Sequence, residues 1–217
     1  LDGTSHEVRP TALVETSPVE TEAWEVRREM ATSRDGTEVP LNILMPRGLS
    51  LDGSHPCVVN GYGGYGVNIE PRFNPARALY LDNGVIYVIA NLRGGAEFGE
   101  DWHTQGSLTH KQNVFDDFAA VIQHMIDRRY PSPARLGIIG ASNGGLLMGA
   151  TMVQHPELAH VVVSYVGIYD LLRVEIQPEG KGSKVTLTHQ GVSPEDAAAT
   201  MEGWGKMLRG LAKEATS

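Results

Sequence analysis

The segment RLGIIGASNGGLLMGA, residues 135–150, constrains the architecture more than any other. Leu136–Ile139 is a short continuous apolar run, the pattern of a strand covered on both faces. It gives way at once to Gly140-Ala141-Ser142-Asn143-Gly144-Gly145, and then to an apolar segment of helical length. A serine at the centre of G-x-S-x-G, between strand and helix, occupies a tight turn that admits only small neighbours. The first amides of the helix then face the serine, where they can stabilise an anion.

Other segments repeat this alternation. HPCVVNGYGGYG and GVIYVIANLRGG each carry an apolar run ending in glycines, and HVVVSYVGI is a further strand. Asn74 to Leu81 reads as a short helix. In QNVFDDFAAVIQHMIDRRYPSP, Val114, Phe118, Val121, Ile122 and Met125 recur at helical spacing before Pro131 and Pro133 stop the element. Ahead of these, WEVRREMATSRDGTEVPLNILMPRG reads as two strands around a turn at Ser33-Arg34-Asp35-Gly36. The order predicts an α/β fold with a doubly wound, mostly parallel sheet and right-handed crossovers. Residues 1–20, rich in Thr, Ser, Pro and Glu, read as a linker or disordered N-terminus, 21–173 as the α/β domain, and 174–217 as an appendage.

In that appendage Val185, Leu187 and His189 alternate with Thr186 and Thr188, the pattern of a half-buried antiparallel strand. Ser193-Pro194-Glu195-Asp196 then supplies an N-cap, a proline at the first helical position and acids in the first turn. The helix that follows carries Met201, Trp204 and Leu208 on one stripe.

The net charge of -8 argues against a nucleic-acid or anionic-membrane partner, since both require a basic face. No apolar stretch approaches the roughly 18 residues that span a bilayer, and LDGTSHEVRP lacks a signal-peptide pattern, so a cytoplasmic location is expected. The single cysteine, Cys57, excludes an intrachain disulfide and a Cys-rich metal site; no cofactor or metal is expected. GYGGYG, residues 61–66, matches a dinucleotide fingerprint formally. That fingerprint also needs a helix opening at the third glycine and an acid ending the next strand. Here Asn68, Pro71 and Pro75 follow Gly66, and Asp82 precedes the next strand.

From about Trp24 to Glu175 the chain resembles the catalytic domain of the prolyl oligopeptidase family of serine peptidases. The resemblance is carried, in order, by RREMATSRDGTEVPLNI, GYGGYG, ANLRGGAEFGEDWH, KQNVFDDFAA, GASNGGLLMGA, QHPELAHVVVS and VGIYDLLRVE. It implies an α/β-hydrolase fold, here incomplete, and a small proline-containing peptide as substrate. It further implies Ser142 as nucleophile, the backbone N–H of Asn143 and the phenol of Tyr62 as oxyanion donors, and Tyr65 with Ile168 in an apolar pocket for the proline ring. The β-propeller that family members carry has no counterpart in these residues.

In such a fold the acid and histidine follow the serine, each after a further strand. Neither family segment is recognisable after Ser142, so a chain of inactive or very weak character is expected. His155, His160, Asp170, His189 and Asp196 are the groups that could substitute, and His189, before Gly191, is the only one in a context a catalytic base could use. Residues 174–215 resemble the last strand and helix of START-like helix-grip domains, which suggests a fusion of two gene fragments. The alternative to an enzyme is a non-catalytic scaffold, homo-oligomeric through an exposed sheet edge or the tail helix.

Overall fold

The computed structural model describes residues 18–70 and 72–169 in full, together with the backbone of strands 173–179 and 182–188. The chain divides into two compact units, Leu1–Gly167 and Ile168–Ser217.

The first unit holds a six-stranded sheet in the order β1-β2-β4-β3-β5-β6. Its strands are β1 (Trp24–Thr32), β2 (Glu38–Pro46), β3 (Cys57–Asn60), β4 (Ile86–Ala90), β5 (Leu136–Ala141) and β6 (Val161–Tyr165). β1 and β2 form the expected hairpin, with Thr32 opposite Glu38. Ser33 N–H bonds Thr37 O, Gly36 N–H bonds Ser33 O, and Gly36 takes φ +88°. A turn closed by a left-handed residue favours glycine at that place. β2 runs antiparallel to β4, whereas β3 pairs in parallel with β4 and β5, and β5 with β6.

Among the described residues four α-helices accompany the sheet: α1 (Ala78–Leu81), α2 (Glu100–Thr104), α3 (Gln112–Asp127) and α4 (Asn143–Gln154). The apolar stripe read from the α3 sequence is the buried stripe. Val114, Phe118, Val121, Ile122 and Met125 are fully enclosed with Leu41, Ile43, Val88, Val59, Ile138 and Leu147 in one core. Tyr87, one residue before Val88 and hence on the other face of β4, meets Tyr80 of α1 with ring centroids 5.2 Å apart. Helices therefore cover both faces of the sheet, as the alternation of elements implies. β6 is the edge of this sheet, with Val161 and Tyr165 more than half exposed. Among the described residues no helix is long and apolar enough to cross a membrane.

The second unit contains an antiparallel pair, β7 (Arg173–Glu179) and β8 (Gly182–Thr188). β8 is the strand expected from the Val-Thr alternation, while β7 is not legible in that pattern. The helix predicted from Ser193 onward lies outside the described residues.

Candidate active site

Ser142 stands between the last residue of β5 and the first of α4, with φ +56° and ψ −117°. A side-chain-bearing residue there is strained, and such strain persists only where the surroundings over-determine it. They do so here. Ser142 N–H bonds Tyr165 O of β6 at 2.9 Å, and Ser142 O accepts from Gly145 N–H at 2.9 Å and Leu146 N–H at 3.3 Å. The flanking glycines follow from the same crowding, since a Cβ on Gly140 would collide with the Gly144 carbonyl, and one on Gly144 would lie 2.7 Å from Gly61 O. Ser142 is half-buried, and of the first four amides of α4 those of Gly145 and Leu146 are taken up by Ser142 O. The turn thus presents a hydroxyl beside the Asn143 and Gly144 N–H groups, which have no acceptor within the helix.

The glycine loop 61–66 lies against this turn. Its small residues are set by close packing: a Cβ on Gly61 would meet Phe118 and Leu147 within 3.0 Å, and one on Gly64 would fall 2.5 Å from Asn143 Nδ2. No helix opens at Gly66; the first helical turn after it begins at Pro75. Asn143 is buried and ties the loop down, its Nδ2 donating to Tyr62 O at 2.6 Å. The half-buried Tyr62 ring runs alongside Gly144, where an added Cβ would lie 3.6 Å from Tyr62 Cδ2. Tyr65 adopts φ +55° and is 70% exposed.

Among the described residues no imidazole or carboxylate bonds Ser142 Oγ. His160 donates its backbone N–H to Leu136 O, at the opposite end of β5 from Ser142, and His155 ends α4 with Nδ1 3.5 Å from Glu157 Oε1. A six-residue strand separates His160 from Ser142 by roughly 20 Å. Both histidines therefore lie at the end of their elements remote from Ser142. Asp170, His189 and Asp196 lie outside the described residues. Ile168 is half-buried and belongs to the second unit. Cys57 is 1% exposed, and burial pushes its thiol pKa far up, which leaves it without nucleophilic character. A cavity of about 500 Å³ lined by Thr32, Arg34, Gln123, His124 and Glu157 does not include the serine.

Two groups that support this site do not stand out in the sequence. Arg93, in the loop after β4, is 1% exposed and clasps Asp117 of α3, with Nη2 2.6 Å from Oδ1 and Nε 2.9 Å from Oδ2. It also reaches Asp35 in the β1–β2 turn, and Ser33 Oγ donates to Asp117 Oδ1 at 2.6 Å. Gly94, next along the chain, accepts from Gly66 N–H at 2.9 Å, so the network backs the glycine loop. The second is Lys111, the residue preceding α3, whose Nζ donates to Gly63 O and Asn143 Oδ1. Spacing alone signals neither, although a lysine at a helix N-terminus is unfavourable with the helix dipole and in that sense conspicuous.

Comparison with known proteins agrees with the fold and the order of the motifs. The family model described as prolyl oligopeptidase family matches residues 71–201. The prolyl endopeptidase of Elizabethkingia meningoseptica is 41% identical over 151 residues, which is 70% of this chain and 21% of that protein. The solved structure of a post-proline cleaving enzyme from Rickettsia typhi superposes with TM-score 0.69 at 36% identity, covering 74% of this chain and 23% of that one. Oligopeptidase B from Trypanosoma brucei, with antipain covalently bound, gives TM-score 0.65 at 40% identity, covering 68% of this chain and 21% of the other. The chain spans about a fifth of the length of the curated relatives it matches. The sheet is a partial α/β-hydrolase sheet that carries a serine turn and a pinned glycine loop, and the chain belongs to the prolyl oligopeptidase family of serine peptidases.

Proposed function

We propose that this chain carries the nucleophile and oxyanion donors of a peptidase acting on proline-containing peptides. Ser142 Oγ attacks the carbonyl carbon on the acyl side of the scissile bond, and its proton passes to a base. The resulting oxyanion is held by Asn143 N–H and Tyr62 O–H. Collapse breaks the C–N bond, the amine leaves with a proton, and water then hydrolyses the acyl-serine. Tyr65 flanks the proline ring. The observation that carries this reading is the strained Ser142 turn at the N-terminus of α4, with Tyr62 bound to Asn143 beside it. Relatives bear the names prolyl endopeptidase and post-proline cleaving enzyme, which favours proline in the substrate.

Among the described residues no group serves as the base, and His189, outside them, is the group in this sequence best suited to substitute. Loss of a triad member costs orders of magnitude even when the oxyanion donors survive, so turnover by this chain is weak. Acylation by an activated ester demands less of a base and tests the assignment directly. An N-acyl-proline nitrophenyl ester is expected to leave one acyl group on Ser142, faster than the corresponding glutamate ester, and none on Ser142→Ala. Equal acylation of the alanine variant refutes the reading.

The edge position and exposure of β6 favour a second reading, a scaffold that associates through that edge or through the tail helix. The START-like reading of residues 174–215 belongs with it, resting on the strand pattern and the Ser193-Pro194-Glu195-Asp196 cap. A scaffold loses assembly on Trp204→Ala, measured by light scattering, and is indifferent to Ser142→Ala.

A further inference from the structure

At the start of α3 a lysine stands where a helix favours an acceptor. Lys111 occupies the N-cap of α3 without a side-chain cap bond, so its cation adds to the partial positive charge of the helix end. It is half-buried, and desolvation lowers its pKa to about 8, with no charged partner contributing. A cation kept in so unfavourable a place needs a local reason, and its bonds supply one. Lys111 Nζ donates to Gly63 O at 2.6 Å and to Asn143 Oδ1 at 3.2 Å. Asn143 Nδ2 in turn donates to Tyr62 O at 2.6 Å. Three bonds therefore join α3, the glycine loop and the first residue of α4, and each ends on a residue that flanks Ser142 or belongs to the loop carrying an oxyanion donor.

We propose that Lys111 is a positioning residue of the oxyanion site, a strut that locks the 61–66 loop onto the serine turn and so fixes Tyr62 beside the Asn143 amide. The proposal rests on Ser142 being the nucleophile. Its reach is confined to this corner: the core beneath is apolar, built from Val114, Phe118 and Leu147, and none of its packing depends on the ammonium. A methionine of similar length relieves the desolvation of the cation but leaves Gly63 O and Asn143 Oδ1 without that donor, so the fold holds with a modest loss while the loop loosens. Arginine keeps the charge and can still donate to both carbonyls, though with a different fork.

The test compares the full chain with Lys111→Met, Lys111→Arg, Asn143→Ala and the Lys111→Met/Asn143→Ala double variant. Asn143→Ala retains the backbone N–H while removing the side chain that Lys111 holds. Three quantities are read: melting temperature, hydrogen exchange of the amides at 62–66, and the rate at which a fluorophosphonate modifies Ser142. Lys111→Met is expected to lower the melting temperature by only a few degrees, while exchange in the loop rises and phosphonylation slows, each by about tenfold or more, below the loss from deleting an oxyanion donor outright. Lys111→Arg recovers part of both. The double variant is no slower than the slower single one, because both changes cut the same strut. Unchanged exchange and labelling in folded Lys111→Met, or additive losses in the double variant, overturn the proposal. If Lys111→Met does not fold, Lys111→Gln, able to reach only one carbonyl, serves for the same comparison. If no variant and not even the unmodified chain is phosphonylated at Ser142, the nucleophile reading fails by itself, and loop exchange alone then upholds or overturns the strut.

Discussion

Replacing Asp117 with asparagine removes one charge from the interior while keeping shape and volume. Asp117 is fully enclosed and Arg93 is 1% exposed, so neither can recover hydration once the other is lost. The carboxylate accepts from Arg93 Nη2 at 2.6 Å, Arg93 Nε at 2.9 Å, the Arg93 backbone N–H at 3.1 Å and Ser33 Oγ at 2.6 Å. An amide can satisfy only part of that set and none of the charge. Breaking a buried pair from one side costs about 3–5 kcal/mol. Asp35 provides the internal control, because its side chain is 46% exposed and its bond to the same guanidinium is partly solvated. Asp35→Asn is therefore expected to cost about 1 kcal/mol or less. In urea, with a slope of about 2 kcal/mol per molar, Asp117→Asn moves the midpoint down by roughly 1.5–2.5 M and Asp35→Asn by about 0.5 M or less. The assay is urea unfolding followed by circular dichroism, with slopes compared across variants. Equal midpoint shifts at unchanged slope would show that the Arg93 charge is not confined by burial as argued.

Two further outcomes follow from the same geometry. The bond from Arg93, opposed by partial burial, holds the Asp35 carboxyl down at about pKa 2. A depressed carboxylate stabilises the fold above its unfolded value near 4, and that contribution fades as pH falls through about 2. The stability of Asp35→Asn, measured by urea unfolding between pH 4 and 1.5, accordingly falls less steeply with falling pH than that of the unmodified chain. Cys57, buried on β3 with its pKa raised by burial, is expected to resist a disulfide reagent at pH 8 in native buffer and to react fully in urea, as read by absorbance of the released thiol.

Much of the first unit is legible in the sequence because its signals are local. The apolar runs of β3, β4 and β5 end in glycines, the stripe of α3 has helical period, and Asp35-Gly36 lies between two alternating segments. Each of these becomes the element predicted, since propensity, burial pattern and turn chemistry agree. The short helix α2 is hidden because GEDWHT has no apolar period and only Trp102 is buried, donating its indole N–H to Leu92 O at 3.0 Å. β7 is hidden for a related reason: RVEIQPE carries a proline, which argues against an interior strand, and among the described residues its one partner is β8. At the site, Ser142 and its glycines announce a tight turn, whereas Tyr62 and Asn143 are singled out only by the family resemblance. Arg93 and Lys111 do not announce themselves, because a charged residue in sequence reads as solvent-facing. Their partners Asp117 and Asn143 lie 24 and 32 positions away, and folding alone brings them together.

The central claim, that Ser142 is the nucleophile of this chain, is tested most directly by the intact mass of the folded protein after exposure to a fluorophosphonate, with Ser142→Ala in parallel. The account predicts a single adduct on the unmodified chain, mapped to the peptide containing Ser142, and none on the alanine variant. No adduct on a cooperatively folded chain, or an adduct that persists in Ser142→Ala, contradicts it.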